Sequence, residues 1–232
     1  MIELRPRAKL GAAQHGWLDT RHHFSFAEYH DPLRMQWGQL RVWNDDSIAA
    51  QSGFPPHPHR DMEIITYVRK GAISHEDSLG NRGRTVAGDV QVMSAGTGIT
   101  HSEFNREDET CELFQIWIYP DRSGLPPSWG TRPFPRGDRA GAFVTLASGL
   151  QGDDDALPIR AEARLVAATL GAGDIAEYPI GLGRSLYLVP ASGRIEVGDV
   201  VAEAGDGVAV RDETRLQVRA LEDSEVVLVD VR

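Results

Sequence analysis

From Gly38 to Tyr119 the chain is a run of short β-branched and aromatic segments broken at regular intervals by turn residues, and this rhythm constrains the fold most. Leu40 and Val42 begin it, and Asn44-Asp45-Asp46 reads as a turn. Gly53 to Pro56 reads as the entry into a strand from His57 to Glu63, which Ile64-Ile65-Thr66-Tyr67-Val68 continues to Lys70-Gly71, and Ile73 to Glu76 returns. Asp77-Ser78-Leu79-Gly80-Asn81 then turns the chain, Thr85-Val86 leads to Gly88-Asp89, and Val90 to Met93 follows. Cys111 to Tyr119 closes the set. Strands this short at this spacing predict an all-β fold, an antiparallel barrel or a double-sheet jelly roll.

The second half repeats the first in outline. Ser185-Leu-Tyr-Leu-Val189 leading to Ser192-Gly193 parallels Glu63-Ile-Ile-Thr-Tyr67 leading to Lys70-Gly71, and Ala204-Gly205-Asp206 parallels Ala87-Gly88-Asp89. Two related β domains are therefore expected, residues 1–130 and 131–232. Residues 120–139 carry five prolines and no periodicity, the best candidate for a crossover between them.

Chemistry concentrates in the first half. All eight histidines lie between His15 and His101. In an extended strand, residues two apart point the same way, roughly 6.6 Å apart. His57 and His59 thus share one face, and so do His101 and Glu103. Were the two strands adjacent, three imidazoles and a carboxylate would converge, a donor set for a first-row metal with one or two positions left open. A lone His-x-His pair is common on surfaces; two such pairs on predicted strands, around a Gly-rich turn, favour a metal site. Under the repeat, His57 maps to Pro179, His59 to Gly181, His101 to Val218 and Glu103 to Ala220. The second domain keeps the scaffold and loses every ligand.

Residues 10–36 are rich in glycine, histidine and aromatics, including His22-His23-Phe24-Ser25-Phe26. Two readings stand: a loop packed by its own aromatics, or a wall beside the site that contributes Phe24 or Phe26.

Composition narrows the function. A formal net charge of −10 argues against direct nucleic-acid binding, which needs clustered lysine and arginine, but leaves room for a protein partner. Cys111 is the only cysteine, so no intramolecular disulfide forms, and a small buried hydrophobe within a strand is its simplest role. Met1 to Lys9 is basic with no apolar core of signal length behind it, and no stretch approaches the 18 apolar residues of a membrane span. A cytoplasmic protein with no membrane association is expected.

His57-x-His59-xxx-Glu63 followed by Gly71, and Gly88 leading to His101-xxx-Asn105, resemble the two short motifs of the cupin superfamily. More narrowly, Gly53 to Ile64, His75 to Asn81, Met93 to Glu103 and His23-Phe-Ser-Phe26 resemble the pirin family. The resemblance covers most of residues 15–120 and implies a bicupin with one divalent metal in its first domain. That metal would usually be iron, with nickel, cobalt, manganese, copper or zinc as alternatives. The matching ligands are His57, His59, His101 and Glu103. The wider superfamily commonly uses the first-motif glutamate, here Glu63, and strand parity allows either. The pirin pattern favours Glu103, leaving Glu63 as a strand residue paired with a base such as Arg60. The resemblance further implies a quercetin 2,3-dioxygenase acting on a flavonol-like aromatic and dioxygen. In that chemistry a carboxylate beside the metal would take the hydroxyl's proton, and Glu103 is the expected base. The alternative it carries is a metal- or redox-responsive co-regulator working through a protein partner.

Overall fold

In a computed structural model describing residues 1–232, the chain forms twenty-two strands, two short 3-10 turns and no α-helix. No helix is long and apolar enough to cross a membrane. Each half pairs a seven-stranded sheet with a four-stranded one. In the first half the large sheet runs in the order Ser128–Arg132, Val90–Ser94, Glu63–Lys70, Cys111–Ile118, Leu40–Ile48, Leu18–His22, Gly11–Gln14. The small sheet runs Ser52–His59, Ile99–Asn105, Ala72–Asp77, Arg82–Val86. The second half repeats this: Ser185–Ser192 corresponds to Glu63–Lys70, Arg215–Ala220 to Ile99–Asn105, and Ser224–Val231 to Cys111–Ile118. Every strand pairing is antiparallel except the short one between Val144–Ser148 and Leu157–Pro158, and the isolated bridge between Ala140 and Thr169 is parallel too. The fold is two antiparallel cupin-type barrels: the strand rhythm predicted the antiparallel barrels, and the resemblance implied their cupin kind.

The repeat is also visible in the turns. Gly71 and Gly193 have φ of 71° and 78°, and Gly88 and Gly205 have 94° and 83°. These left-handed positions favour glycine, which has no Cβ to clash.

The two large sheets pack face to face. Tyr67, Phe114 and Ile116 from the first, with Tyr187, Val227, Val229 and Val231 from the second, share one core cluster of 27 buried residues. The alternate residues of Ser224–Val231, Val226 and Leu228, turn inward to the second barrel's own cluster of 18. A strand apolar on both faces reads as the near-continuous run Val226-Val227-Leu228-Val229. Val218 and Ala220, the counterparts of His101 and Glu103, lie in that second cluster, so apolar side chains fill the place of the ligands.

Some segments differ from expectation. Gly11–Gln14 and Leu18–His22, within the stretch read as a loop, are strands at the edge of the first large sheet, paired with each other and with Leu40–Ile48. Asn44-Asp45-Asp46 is the buried middle of the nine-residue strand Leu40–Ile48, not a turn. Tertiary partners override local propensity there: Asp45 accepts hydrogen bonds from Arg69 and Arg7, and His22 Nδ1 lies 2.8 Å from Asn44 Oδ1. Within the proline-rich segment, Ser128–Arg132 joins the edge of the first large sheet beside Val90–Ser94. Ile2–Arg5, near the start of the chain, pairs with Gly207–Val210 in the second half's large sheet.

Candidate metal centre

The small sheet of the first barrel builds the site. Ser52–His59 is its edge strand, where Pro55, Pro56 and Pro58 are exposed and the missing N–H donors leave few ladder bonds unmade. Alternation then turns His57 and His59 inward. His101 stands opposite His57, and Ile99 opposite His59. A register shift follows, so that Glu103 lies across from Phe54 rather than Pro55.

One ligand atom from each of His57, His59 and His101 lies within 4.8 Å of the others. Nε2 of His57 and Nε2 of His101 are 3.0 Å apart. Two nitrogens about 2.1 Å from one cation, at a right angle to each other, would also be about 3.0 Å apart. Burial, reinforced by neighbouring imidazoles, pushes His101 down to about 3 and His59 down to about 4. Both rings are therefore neutral at pH 7, the form that binds a metal. Geometry and protonation fit a divalent cation.

Glu103 shares the inward face but stands outside the cluster of three imidazoles. Its carboxylate is buried and held by neutral donors. Gln91 Nε2 at 2.7 Å and Thr66 Oγ1 at 3.0 Å donate to Oε1, and Gln115 Nε2 at 2.6 Å donates to Oε2. A carboxylate oxygen accepts two hydrogen bonds, so Oε2 retains an unused lone pair. Glu63 is directed elsewhere. Its Oε2 accepts from Ser94 Oγ at 2.6 Å and from the backbone N–H of Arg160 at 3.1 Å, replacing the expected pairing with Arg60.

A cavity of about 180 Å³ opens in front of the histidines. Leu18, Phe26, Phe54, Ile64 and Trp117 form its apolar walls, and Thr20, Asn44, Asp46 and Gln115 add a polar side. Phe26 packs edge-on against Trp117, so the loop after His23 does wall the site. Phe24 instead is buried against Tyr187 in the shared core. Asp46 is a residue the sequence reading missed. Burial, with the negative charges of Asp45 and Glu103, pushes it up to about 7, so it can hold or release a proton near neutrality. Its local sequence looks like a turn, and only the cavity reveals it.

Fold and site together define a two-barrel protein of the cupin kind whose first barrel carries a candidate metal centre. The pirin family model matches residues 3–118, and a model described as the quercetinase C-terminal cupin domain matches residues 145–231. A Pseudomonas aeruginosa protein, named provisionally as a quercetin 2,3-dioxygenase, is 68% identical over 231 residues and covers 100% of both chains. The quercetin 2,3-dioxygenase of Escherichia coli K12 is 40% identical, covering 100% of this chain and 99% of that one. Among solved structures, the E. coli bacterial pirin YhhW in complex with nickel(II) is 40% identical with a TM-score of 0.93, over 100% of this chain and 99% of that one. The chain belongs to the pirin family.

Proposed function

We propose that this pirin is a dioxygenase that opens the oxygenated ring of a flavonol such as quercetin, using one divalent cation, iron in the first instance. His57, His59 and His101 would hold the cation, and Glu103 would complete the set through the free lone pair of Oε2. The observation that carries the reading is a group of three mutually close imidazoles, two of them held neutral, facing an apolar cavity with a carboxylate beside it. The solved relative with nickel(II), and the names of the P. aeruginosa and E. coli relatives, support it.

A bound cation would supply Lewis-acid activation, lowering the pKa of a flavonol hydroxyl beside a carbonyl. The chain's own residues do the rest. Phe26, Phe54 and Trp117 present flat apolar faces to a planar ring and keep water from it. Glu103, locked in orientation by Gln91, Thr66 and Gln115, would take the hydroxyl proton on that same Oε2 lone pair, giving up its hold on the cation as it does so, and Asp46 can hold a proton on the polar side of the cavity. The electron-rich flavonolate then reacts with dioxygen, and the ring opens with loss of carbon monoxide. At about 180 Å³ the cavity is smaller than the roughly 300–1,000 Å³ that encloses a drug-sized ligand. The ring to be cleaved enters, and the rest of the flavonol lies at the mouth beside Phe26. The single cysteine, buried and unpaired, suits a reducing compartment, and action in the cytoplasm is part of the proposal.

Purified chain loaded with iron, nickel, cobalt, manganese or copper tests the reading. Quercetin absorbance should fall in air and stay constant without oxygen, and carbon monoxide should appear. No oxygen-dependent loss with any of these metals would remove the proposal.

A further inference from the structure

Behind His101, on the side away from the cavity, lies a chain of polar side chains that the reaction above does not use. His101 Nε2 faces His57, while its Nδ1 lies 3.4 Å from Nδ1 of His75. His75 Nε2 in turn lies 3.0 Å from Asp77 Oδ2. Asp77 is itself gripped. Its Oδ1 accepts the backbone N–H groups of Leu79 and Asn81 at 2.9 and 3.1 Å, and its Oδ2 accepts Asn81 Nδ2 at 2.9 Å. The side chains of His75 and Asp77 are both 0% exposed. The His75 ring is stacked on Trp129 at 4.8 Å and 10°. Trp129 can sit there because residue 83 is glycine: a Cβ on it would come within 2.2 Å of the indole.

Proton counting gives this chain a direction. An ionised carboxylate only accepts hydrogen bonds, so His75 carries its proton on Nε2, toward Asp77. In that tautomer the Nδ1 of His75 is bare and can only accept. His101 must donate to it through Nδ1–H, which leaves His101 Nε2 bare toward the cavity. His57 is set in the same sense by a shorter route, because its Nδ1 lies 2.8 Å from the carbonyl oxygen of Pro55, which can only accept. Two bare nitrogens then face each other 3.0 Å apart, an arrangement that only a cation or a proton complements.

We propose that His75 and Asp77 are positioning residues that fix the tautomer and ring orientation of His101, so that its Nε2 lone pair is aimed at a divalent cation before the cation arrives. The inference rests on the reading of His101 as a ligand. It adds that the charge setting this ligand sits one ring behind it, beyond His75. Outer partners of this kind typically change metal affinity by about 10–100-fold when removed.

The test uses full-length chain with ¹⁵N-labelled histidine, with zinc as a diamagnetic probe, and reads tautomers by NMR and affinity by competition with a chromophoric chelator. In the wild type, His101 should be the Nδ1–H form with and without zinc. His75→Phe keeps the stack on Trp129 but offers no acceptor. It should weaken zinc about 10–100-fold and mix the His101 tautomers, whereas His75→Gln, whose amide oxygen can accept, should recover most of the loss. Asp77→Asn is the sharper variant. The N–H groups of Leu79 and Asn81 hold its oxygen, so its NH2 faces His75, drives that proton to Nδ1 and takes away the acceptor for His101. A near-isosteric change should therefore cost as much affinity as His75→Phe. Zinc binding within twofold of wild type in folded Asp77→Asn and His75→Phe, or an Nε2–H form of His101 in the wild type, would overturn the proposal. A wild type that takes up no zinc yet shows the Nδ1–H form would remove the metal reading and support the relay.

Discussion

At the residue scale the site depends on side chains that share one face and one protonation state. His57→Ala, His59→Ala or His101→Ala should each lower the bound metal from about one per chain toward none, as elemental analysis of untagged protein would show. The two glutamates separate by the same assay. Glu103→Gln should weaken metal binding by at least about tenfold, because an amide is a poor substitute for a carboxylate toward a hard cation. Glu63→Gln should keep the metal, since Ser94 and the Arg160 N–H already occupy that carboxylate. Loss of metal in Glu63→Gln with retention in Glu103→Gln would reverse the assignment. Asp46 makes a separate, pH-dependent prediction. Its pKa rises from 3.8 in the unfolded chain to about 7 in the folded one, so the folded state binds the extra proton between those values. The stability Asp46 contributes is thus complete below about pH 4 and is lost as the pH rises through 7. Asp46→Asn removes that loss. Its melting temperature relative to wild type should be higher at pH 8 than at pH 5, by at least about 3 °C, the size of about 1 kcal/mol in a chain of this length. A difference that does not change with pH would mean that Asp46 ionises freely.

At the element scale, the Ser52–His59 strand combines rigidity with an exposed edge. Its prolines restrict φ near −65° in the unfolded chain as well as the folded one, so less freedom is lost when the strand forms. Pro58 stands between the two histidines and opposite Thr100. Pro58→Ala should lower stability by about 0.4–1 kcal/mol through the unfolded state. It should also weaken metal binding a few-fold by loosening the His57–His59 spacing, measurable by denaturant titration and chelator competition. The same alternation made the facing of His57 and His59 legible, proline out and histidine in at period two, but not the strand's bounds: the chain breaks between His59 and Glu63, with Asp61 at a φ of 46°, and Glu63–Lys70 belongs to the other sheet rather than continuing this strand. The Leu40–Ile48 strand was not legible. Three consecutive polar residues imitate a turn, and the partners that make them a strand, Arg69, Arg7 and His22, are distant in the chain.

At the scale of the whole molecule the halves are joined by more than a linker. The Ile2–Arg5 strand lies in the second half's sheet, and the 27-residue core draws on both large sheets. His23 Nδ1 lies 2.8 Å from the Tyr187 hydroxyl, and Tyr67 and Arg139 from the first half and crossover bond Glu225 in the second. Calorimetry should accordingly show one cooperative transition with equal calorimetric and van't Hoff enthalpies; two resolved transitions would contradict a shared core. Gly207→Ala is the single change aimed at this joint. A Cβ there would lie 2.0 Å from the Tyr187 hydroxyl and 2.9 Å from His23 Nδ1. It should lower the melting temperature of the whole chain by several degrees, about 2–4 °C for each kcal/mol lost. A melting curve unchanged from wild type would show that the joint tolerates the methyl group.

Local periodicity was enough to specify the all-β character, the internal repeat and the face shared by His57 and His59 and by His101 and Glu103, because alternation in a pleated backbone is a property of neighbours in the chain; it missed Gly11–Gln14, Leu18–His22 and the middle of Leu40–Ile48, whose pairing partners are elsewhere in the sequence. It could not choose between Glu63 and Glu103, since parity puts both on an inward face. Packing made that choice, by covering one carboxylate with Ser94 and the Arg160 backbone and leaving the other beside the cavity. Asp46 in the cavity wall, and Asp77 behind His75 and His101, likewise acquire their character from burial and from partners on other strands, and those arise only when the sheets close around them.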